Sequence, residues 1–278
     1  KAYKFTEKTL QYFAKYPGLA EEHKEEVNNK TLRSVDMDKS QNQVQFLIIG
    51  AQKAGTDYLA DLLNVHPKLT LPGHEVHFFD HHYPKWSFEK YRQRTCGNST
   101  HTVCGEKSPI YMTNRRYIDR IHRDFPEMKL ILVLREPVSR ILSAYNYAED
   151  RETDPDIVGK PLKDALYFED FKNVEKMYCQ RSLYMRQISY ILTKFPRDQL
   201  YFILSDDLHD KENFDQESLL KFLGVPFREQ MIIEDAHRTS GHREMEPELE
   251  KCLQEIFSIP NKQLFDFLGR DMPESWKY

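Results

Sequence analysis

Residues 46–56 read Phe46-Leu47-Ile48-Ile49-Gly50-Ala51-Gln52-Lys53-Ala54-Gly55-Thr56, an apolar strand running into a loop with one lysine and two glycines. Amides exposed by a glycine-bearing turn at a helix N-terminus favour a bound phosphate or sulfate, and Lys53 adds a mobile positive charge. The loop is not a Walker A motif, which requires Gly-x-x-x-x-Gly-Lys-Ser/Thr. Here Gly55 is followed by Thr56 and Asp57, and the lysine comes two residues before the second glycine. An acid therefore stands where a Mg²⁺-binding hydroxyl would be, which argues against ATP hydrolysis.

Three further segments carry groups suited to moving an anionic group onto a hydroxyl. In Gly73-His74-Glu75-Val76-His77-Phe78-Phe79-Asp80, an extended backbone would put Glu75 and His77 on one side. Glu75 is then a candidate general base, with His77 tuning it or orienting the acceptor. In Gly105-Glu106-Lys107-Ser108-Pro109, Lys107 follows a short strand at 102–105 and is expected to enter the same crevice as Lys53. Two lysines around a donor anion would neutralise charge developing on a leaving oxygen without a metal. In Leu134-Arg135-Glu136-Pro137-Val138-Ser139-Arg140-Ile141-Leu142-Ser143, Arg135 marks a strand end and Pro137 suits a first helical turn. Ser139 and Ser143 share a helical face, so Arg135 with Ser143 forms a candidate fork for a second phosphate, while Arg140 is free to pair with local carboxylates. His74, His77, His81 and His82 match no tetrahedral metal spacing, and no metal is expected.

The elements that must position these groups alternate. Strands are expected at 45–49, 129–134 and 199–204, and helices at 56–65, 115–125, 137–148 and 182–195. This order predicts an α/β domain with a central, mostly parallel sheet flanked by helices, and ligands beyond the carboxyl ends of its strands. Two terminal helices are expected at 244–257 and 261–269, divided at Pro260. Residues 1–42 read as an N-terminal stem or extension ahead of a domain at 43–278, and the acidic segment 149–160 as an exposed loop or a lid.

The 278 residues carry 40 Lys plus Arg against 44 Asp plus Glu, a formal net charge of −4. Such a balance excludes a general nucleic-acid binder, so any polyanion site is local. Basic clusters at Lys85, Lys90, Arg92 and Arg94, and at Arg115, Arg116, Arg120 and Arg123, could flank a cleft for an acidic chain. No apolar run approaches the roughly 20 residues that span a bilayer. The chain starts with Lys1 rather than Met, consistent with a removed upstream anchor or signal. Cys96 and Cys104 bracket a polar stretch suited to a disulfide-closed hairpin, which also holds the glycosylation sequon at Asn98; Asn29 starts a second. Together these point to the secretory pathway. Cys179 and Cys252 form either a second pair or two buried thiols.

In order and spacing these segments resemble the nucleotide-dependent sulfotransferases, most closely the Golgi carbohydrate branch that includes the heparan sulfate 3-O- and N-sulfotransferases. The resemblance covers about residues 44–271, with weaker echoes at Arg181-Ser182-Leu183-Tyr184 and Lys221-Phe222-Leu223-Gly224. It implies a P-loop-like three-layer fold and a donor, 3′-phosphoadenosine 5′-phosphosulfate (PAPS), with 3′-phosphoadenosine 5′-phosphate (PAP) as product. It implies that Lys53, Ala54, Gly55, Thr56 and Asp57 hold the 5′ end and Arg135 with Ser143 the 3′-phosphate. Glu75 would take the acceptor proton during in-line transfer, Lys53 and Lys107 would stabilise the sulfonate and departing phosphate, and His77 would support the acceptor side. Ser240, Gly241, His242 and Arg243 resemble a late loop that closes over the nucleotide phosphate. The match there is partial, because residues 232–243 lack the cysteine-bridged hairpin of heparan-branch relatives. The implied acceptor is a carbohydrate hydroxyl, with a glycosaminoglycan first, and the implied setting is the Golgi lumen, as the lumenal part of a type II membrane protein. A small-molecule hydroxyl acceptor, a phosphoryl-transfer enzyme and a non-catalytic binder are the competing readings; a Mg²⁺ requirement would favour the second and nucleotide binding without turnover the third.

Overall fold

A computed structural model of the protein describes residues 44–97, 103–152, 158–167, 178–210, 214–227, 229–233 and 244–278. Its strands are β1 (Val44–Gly50), β2 (Leu69–Thr70), β3 (Val103–Lys107), β4 (Lys129–Leu134) and β5 (Leu200–Leu204). They form one sheet in the order β2–β3–β1–β4–β5, and every pairing is parallel. Phe46, Leu47, Ile48 and Ile49 of β1 and Leu130 through Leu134 of β4 are fully buried. An unbroken apolar strand of this kind requires cover on both faces, which the crossover helices of a parallel sheet supply.

The helices are α1 (Thr56–Asn64), α2 (Phe88–Cys96), α3 (Arg115–Asp124), α4 (Pro137–Asp150), α5 (Leu162–Tyr167), α6 (Tyr184–Leu192), α7 (Ser205–His209), α8 (Gln216–Leu223) and α9 (Pro247–Leu268). The main core surrounds the sheet, and a second cluster lies where Val138, Ile141 and Tyr145 of α4 meet Leu249, Leu253 and Phe257 of α9. Among the described residues no helix is long and apolar enough to cross a membrane.

One expectation about the elements changes. The two terminal helices are one, α9, which runs through Pro260. An interior proline costs about 3 kcal/mol, whereas each fully buried large apolar side chain contributes about 1.5–3 kcal/mol. Ile256, Phe257, Leu264 and Phe265 are all buried on either side of Pro260, so packing outweighs the proline. Cys96 ends α2 and Cys104 lies in β3, whose described pairings are parallel, while residues 98–102 between them lie outside the described residues. Both are buried free thiols, and a hydrogen bond with Cys104 together with burial pushes the Cys96 thiol up. Cys179 and Cys252 are likewise free and buried. The sequons at Asn29 and Asn98, the stem 1–42 and part of the loop 149–160 lie outside the described residues.

The chain leaves β1 toward β2 and β3 on one side and returns to β4 and β5 on the other. Connections therefore diverge at the carboxyl ends of β3, β1 and β4, where a crevice opens in folds of this kind. Close approach of β3 to β1 needs Gly105, because a Cβ there would overlap the Phe46 ring.

Candidate active site

The loop after β1 is held from both sides. Ala51 N–H donates to Val133 O at 2.6 Å, Ala54 N–H donates to Ala51 O at 3.2 Å, and Ala54 and Thr56 are buried. Gly55, at φ 96°, is the N-cap of α1 and supplies no side chain to the helix. The N-cap thus offers the first amides of α1 no side-chain acceptor, as an anion-binding helix start requires. A Cβ on Gly55 would sit 3.1 Å from His209 Cε1 of α7, so glycine is favoured by both backbone and space.

Lys53 adopts φ 68°, and its Nζ stands 4.0 Å from the centre of the Tyr147 ring on α4. Burial lowers its pKa, opposed by Asp57 and reinforced by Arg135 and Arg151. Arg135 follows β4, and its Nη1 donates to Lys53 O at 3.1 Å. Tyr184 clamps the Arg135 backbone, donating from its hydroxyl to Arg135 O at 2.7 Å. Burial lowers the Arg135 pKa too. Gln52 is fastened by the Arg181 guanidinium. Ser143 is half-buried on α4, and Ser139, one turn earlier, is exposed.

Lys107 is the last residue of β3 and is buried. Its Nζ contacts Asp57 Oδ1 and lies 3.4 Å from Glu75 Oε1. Glu75 Oε2 is 3.1 Å from His77 Nε2, and His77 Nδ1 is 2.7 Å from Asp80 Oδ2. These hydrogen bonds, to Asp80 first and then Glu75, push the His77 pKa up to about 10. At neutral pH both ring nitrogens therefore carry protons, one donated to each carboxylate. His77 also reduces the effective burial cost of Asp80, whose pKa is lowered by the same bond against desolvation.

The backbone at His77 is not extended as expected. His77 is left-handed at φ 53° and opens the turn Phe78–His82, in which His82 N–H reaches back five residues to His77 O at 3.2 Å. His77 N–H donating to Ser108 Oγ at 3.2 Å ties that turn to the segment after β3. The Glu75 and His77 side chains meet because this turn folds back.

Lys53, Lys107 and Arg135 thus stand at or just past the carboxyl ends of three adjacent strands, with Glu75 against Lys107 and His77 against Glu75. Ser240, Gly241, His242 and Arg243 lie outside the described residues. Arg140 serves as a structural link. It is fully buried, with Nε donating to Ser182 Oγ at 2.6 Å and Nη2 to Tyr178 O. The basic clusters are largely engaged: Arg92 pairs with Glu89 at 2.8 Å, Arg123 with Asp124 at 3.0 Å, and Arg120 donates to Phe79 O at 2.7 Å. The sequence reading assigned no role to Asp80 or Tyr147. Their signals were helical: Asp80 is three residues past His77, and Tyr147 four past Ser143.

An all-parallel α/β sheet with cationic groups ringing its switch point is a group-transfer architecture for an anionic donor, and the chain belongs to the sulfotransferase domain family, whose model matches residues 43–277. It is a sulfotransferase of the PAPS-using class, close to the heparan sulfate sulfotransferases. It is 25% identical over 259 residues to heparan sulfate glucosamine 3-O-sulfotransferase 5 of Mus musculus, covering 81% of this chain and 72% of that protein. It is 27% identical over 267 residues to heparan sulfate glucosamine 3-O-sulfotransferase 3A1 of Homo sapiens, covering 84% and 63%. A solved sulfotransferase from Alicyclobacillus acidocaldarius superposes with a TM-score of 0.70 at 24% identity, over 84% of this chain and 98% of its own, which carries the fold.

Proposed function

We propose that this enzyme moves the sulfonate group of PAPS onto a carbohydrate hydroxyl, with a glycosaminoglycan as the acceptor class. The observation that carries the reading is the placement of Lys53, Lys107 and Arg135 at or just past the carboxyl ends of three adjacent strands, with Glu75 Oε1 3.4 Å from Lys107 Nζ. The acceptor class is supported by the names of its relatives, heparan sulfate glucosamine 3-O-sulfotransferases.

The residues fit the donor. The Gly55-capped start of α1, through the amides of Gly55, Thr56 and Asp57, would hold the 5′ end, with Ala54 shaping the loop, and Arg135 with Ser143 would hold the 3′-phosphate. Ser240 to Arg243 would complete the phosphate contacts. Glu75 would accept the acceptor hydroxyl proton as its oxygen attacks sulfur and the bond from sulfur to the bridging phosphate oxygen breaks. His77, protonated on both nitrogens, would hold Glu75 in position rather than take a proton itself. Lys107 and Lys53 would neutralise charge on the sulfonate and on the leaving phosphate, interactions that strengthen in the transition state.

The proposed organisation is a stem at 1–42 and a catalytic domain at 43–278, in a Golgi-lumenal, type II setting reached through an anchor outside this sequence. The adjacent thiols of Cys96 and Cys104 would close as a disulfide there.

Calorimetric titration with PAP, and with ATP in EDTA and in Mg²⁺, tests the reading. Metal-independent PAP binding that weakens in Arg135→Ala is expected. No PAP binding, or preference for Mg·ATP, would overturn it.

A further inference from the structure

The turn Phe78–His82 gathers three side chains whose spacing in the sequence suggested no metal site. His77 Nδ1 is 2.7 Å from Asp80 Oδ2, and His81 Nε2 is 3.6 Å from the same oxygen. The two imidazoles stack with centres 4.8 Å apart and 20° between their planes. One nitrogen or oxygen from each residue falls within a single 4.8 Å cluster. A five-residue reach in the hydrogen bonding of this turn brings His81 over His77, which an ordinary strand would have carried about 13 Å away along the same face.

Two imidazoles and one carboxylate make a donor set for borderline divalent ions such as Zn²⁺, Co²⁺ and Ni²⁺. An ion bound at about 2.0–2.2 Å from each donor requires donors roughly 3–3.5 Å apart, a spacing bracketed by the two nitrogen to oxygen distances here. A second observation points the same way. The Asp80 side chain is only 3% exposed, and its Oδ1 is buried with no hydrogen-bond partner among the described residues. The protein thus buries a carboxylate and leaves one of its oxygens unsatisfied beside two imidazoles. The His81 side chain, at 69% exposed, opens the cluster to solvent and gives an ion a way in.

We propose that His77, Asp80 and His81 bind a zinc-class divalent cation and that its occupancy inhibits transfer. Coordination needs the lone pair of His77 Nδ1, so the proton there passes to solvent, while Nε2–H still faces Glu75. The bound ion fixes the imidazole that stands 3.1 Å from Glu75 Oε2 and so draws the carboxylate out of its place beside the acceptor hydroxyl. This consequence rests on the reading of Glu75 as the base, whereas binding of the ion does not.

The test is titration of tag-free protein with Co²⁺, read by its visible d–d absorption, with Zn²⁺ displacing it and PAP binding measured on the same samples. Wild-type protein should take up one Co²⁺ in a site of low coordination number. His81→Ala should lose more affinity than the about 10–100-fold typical of removing an outer-shell partner of a metal ligand. His82→Ala is the control, because His82 stacks on Trp86 at 3.7 Å and is not among the three clustered donors; it should bind Co²⁺ as the wild type does. Zn²⁺ should slow sulfonate transfer by wild-type protein and leave His81→Ala unaffected, with PAP affinity unchanged in both. Absent Co²⁺ absorption, or equal Co²⁺ affinity in wild type and His81→Ala, overturns the site even where PAP binds normally. Co²⁺ binding that leaves transfer untouched overturns the inhibition. Co²⁺ binding without PAP binding keeps the metal site and removes the sulfotransferase reading.

Discussion

One ammonium serves two carboxylates: Lys107 Nζ lies 3.4 Å from Glu75 Oε1 while contacting Asp57 Oδ1 in the first turn of α1. Asp57 is mostly exposed, so its hold on Lys107 is weak, of the order of 0.2–1 kcal/mol. An anionic donor arriving at the start of α1 competes with Asp57 for the same ammonium. Asp57→Asn keeps the backbone amide and frees Lys107, and PAP should then bind up to about fivefold more tightly at low salt. Lys107→Met removes the charge altogether and should cut kcat by about a hundredfold to a thousandfold, with a smaller change in PAP affinity. Calorimetry paired with single-turnover transfer separates the two effects. Equal losses of binding and turnover in Lys107→Met would show that the lysine serves the ground state only.

The doubly bonded His77 makes a prediction about pH. Its pKa is raised to about 10 from an ordinary value of 6.5, by bonds to Asp80 and then Glu75. The native state therefore holds a proton that the unfolded chain releases above about 6.5. The associated stability is complete below that value and is lost as pH rises through about 10. Nitrogen NMR at pH 8 should show both ring nitrogens of His77 protonated, and transfer should not decline near pH 6.5 from the alkaline side. His77→Gln can donate toward only one carboxylate and should lose about 1.5–3 kcal/mol of transition-state stabilisation, roughly tenfold to a hundredfold in kcat. A neutral imidazole at pH 8 would remove this account of His77.

The parts of the fold that could be read from the sequence are those whose signal is local. β1 and β4 are legible because both faces are buried and the apolar run is unbroken, and Pro137 and Asn114 mark the starts of α4 and α3. β2, at two residues, is too short to carry any periodicity. The continuity of α9 across Pro260 depends on contacts from α4 and α6, which no window of sequence contains. The cationic groups at Lys53, Lys107 and Arg135 are legible because each directly follows or ends a strand. The contact of Glu75 with His77 was reached through the wrong backbone, since the left-handed turn at His77 is imposed by Asp80 and Ser108 from outside the pair.

Arg140 separates support from ligand binding. Its guanidinium is fully buried and joins α4 to the segment before α6 through Tyr178 O and Ser182 Oγ. Arg140→Ala removes both guanidinium hydrogen bonds and should lose about 1–3 kcal/mol for each, in addition to the cavity. Urea denaturation gives the loss, and PAP titration of the folded fraction should show affinity close to wild type. A variant with native stability and weakened PAP binding would move Arg140 into the donor site.

Glu106 is the residue next to Lys107, on the opposite side of β3, and the reaction has no use for it. It is fully buried, and desolvation raises its pKa from 4.5 to about 8, although the Tyr111 and Tyr91 hydroxyls pull it back down. Near pH 7 the native carboxyl is mostly neutral, whereas in the unfolded chain it is ionised above about 4.5. The native state binds the extra proton, so its contribution is complete below about pH 4.5, declines as pH rises and is gone once pH passes about 8. The slope is at most about 1.4 kcal/mol per pH unit. Glu106→Gln keeps the shape and cannot ionise, so its stability should stay level over the range in which the wild type declines. Urea midpoints at pH 5, 6.5 and 8 should show the variant gaining steadily on the wild type, with the gap constant above about pH 8. Parallel curves would mean that Glu106 is ionised in the native state, and that the tyrosine hydroxyls, rather than burial, set its charge.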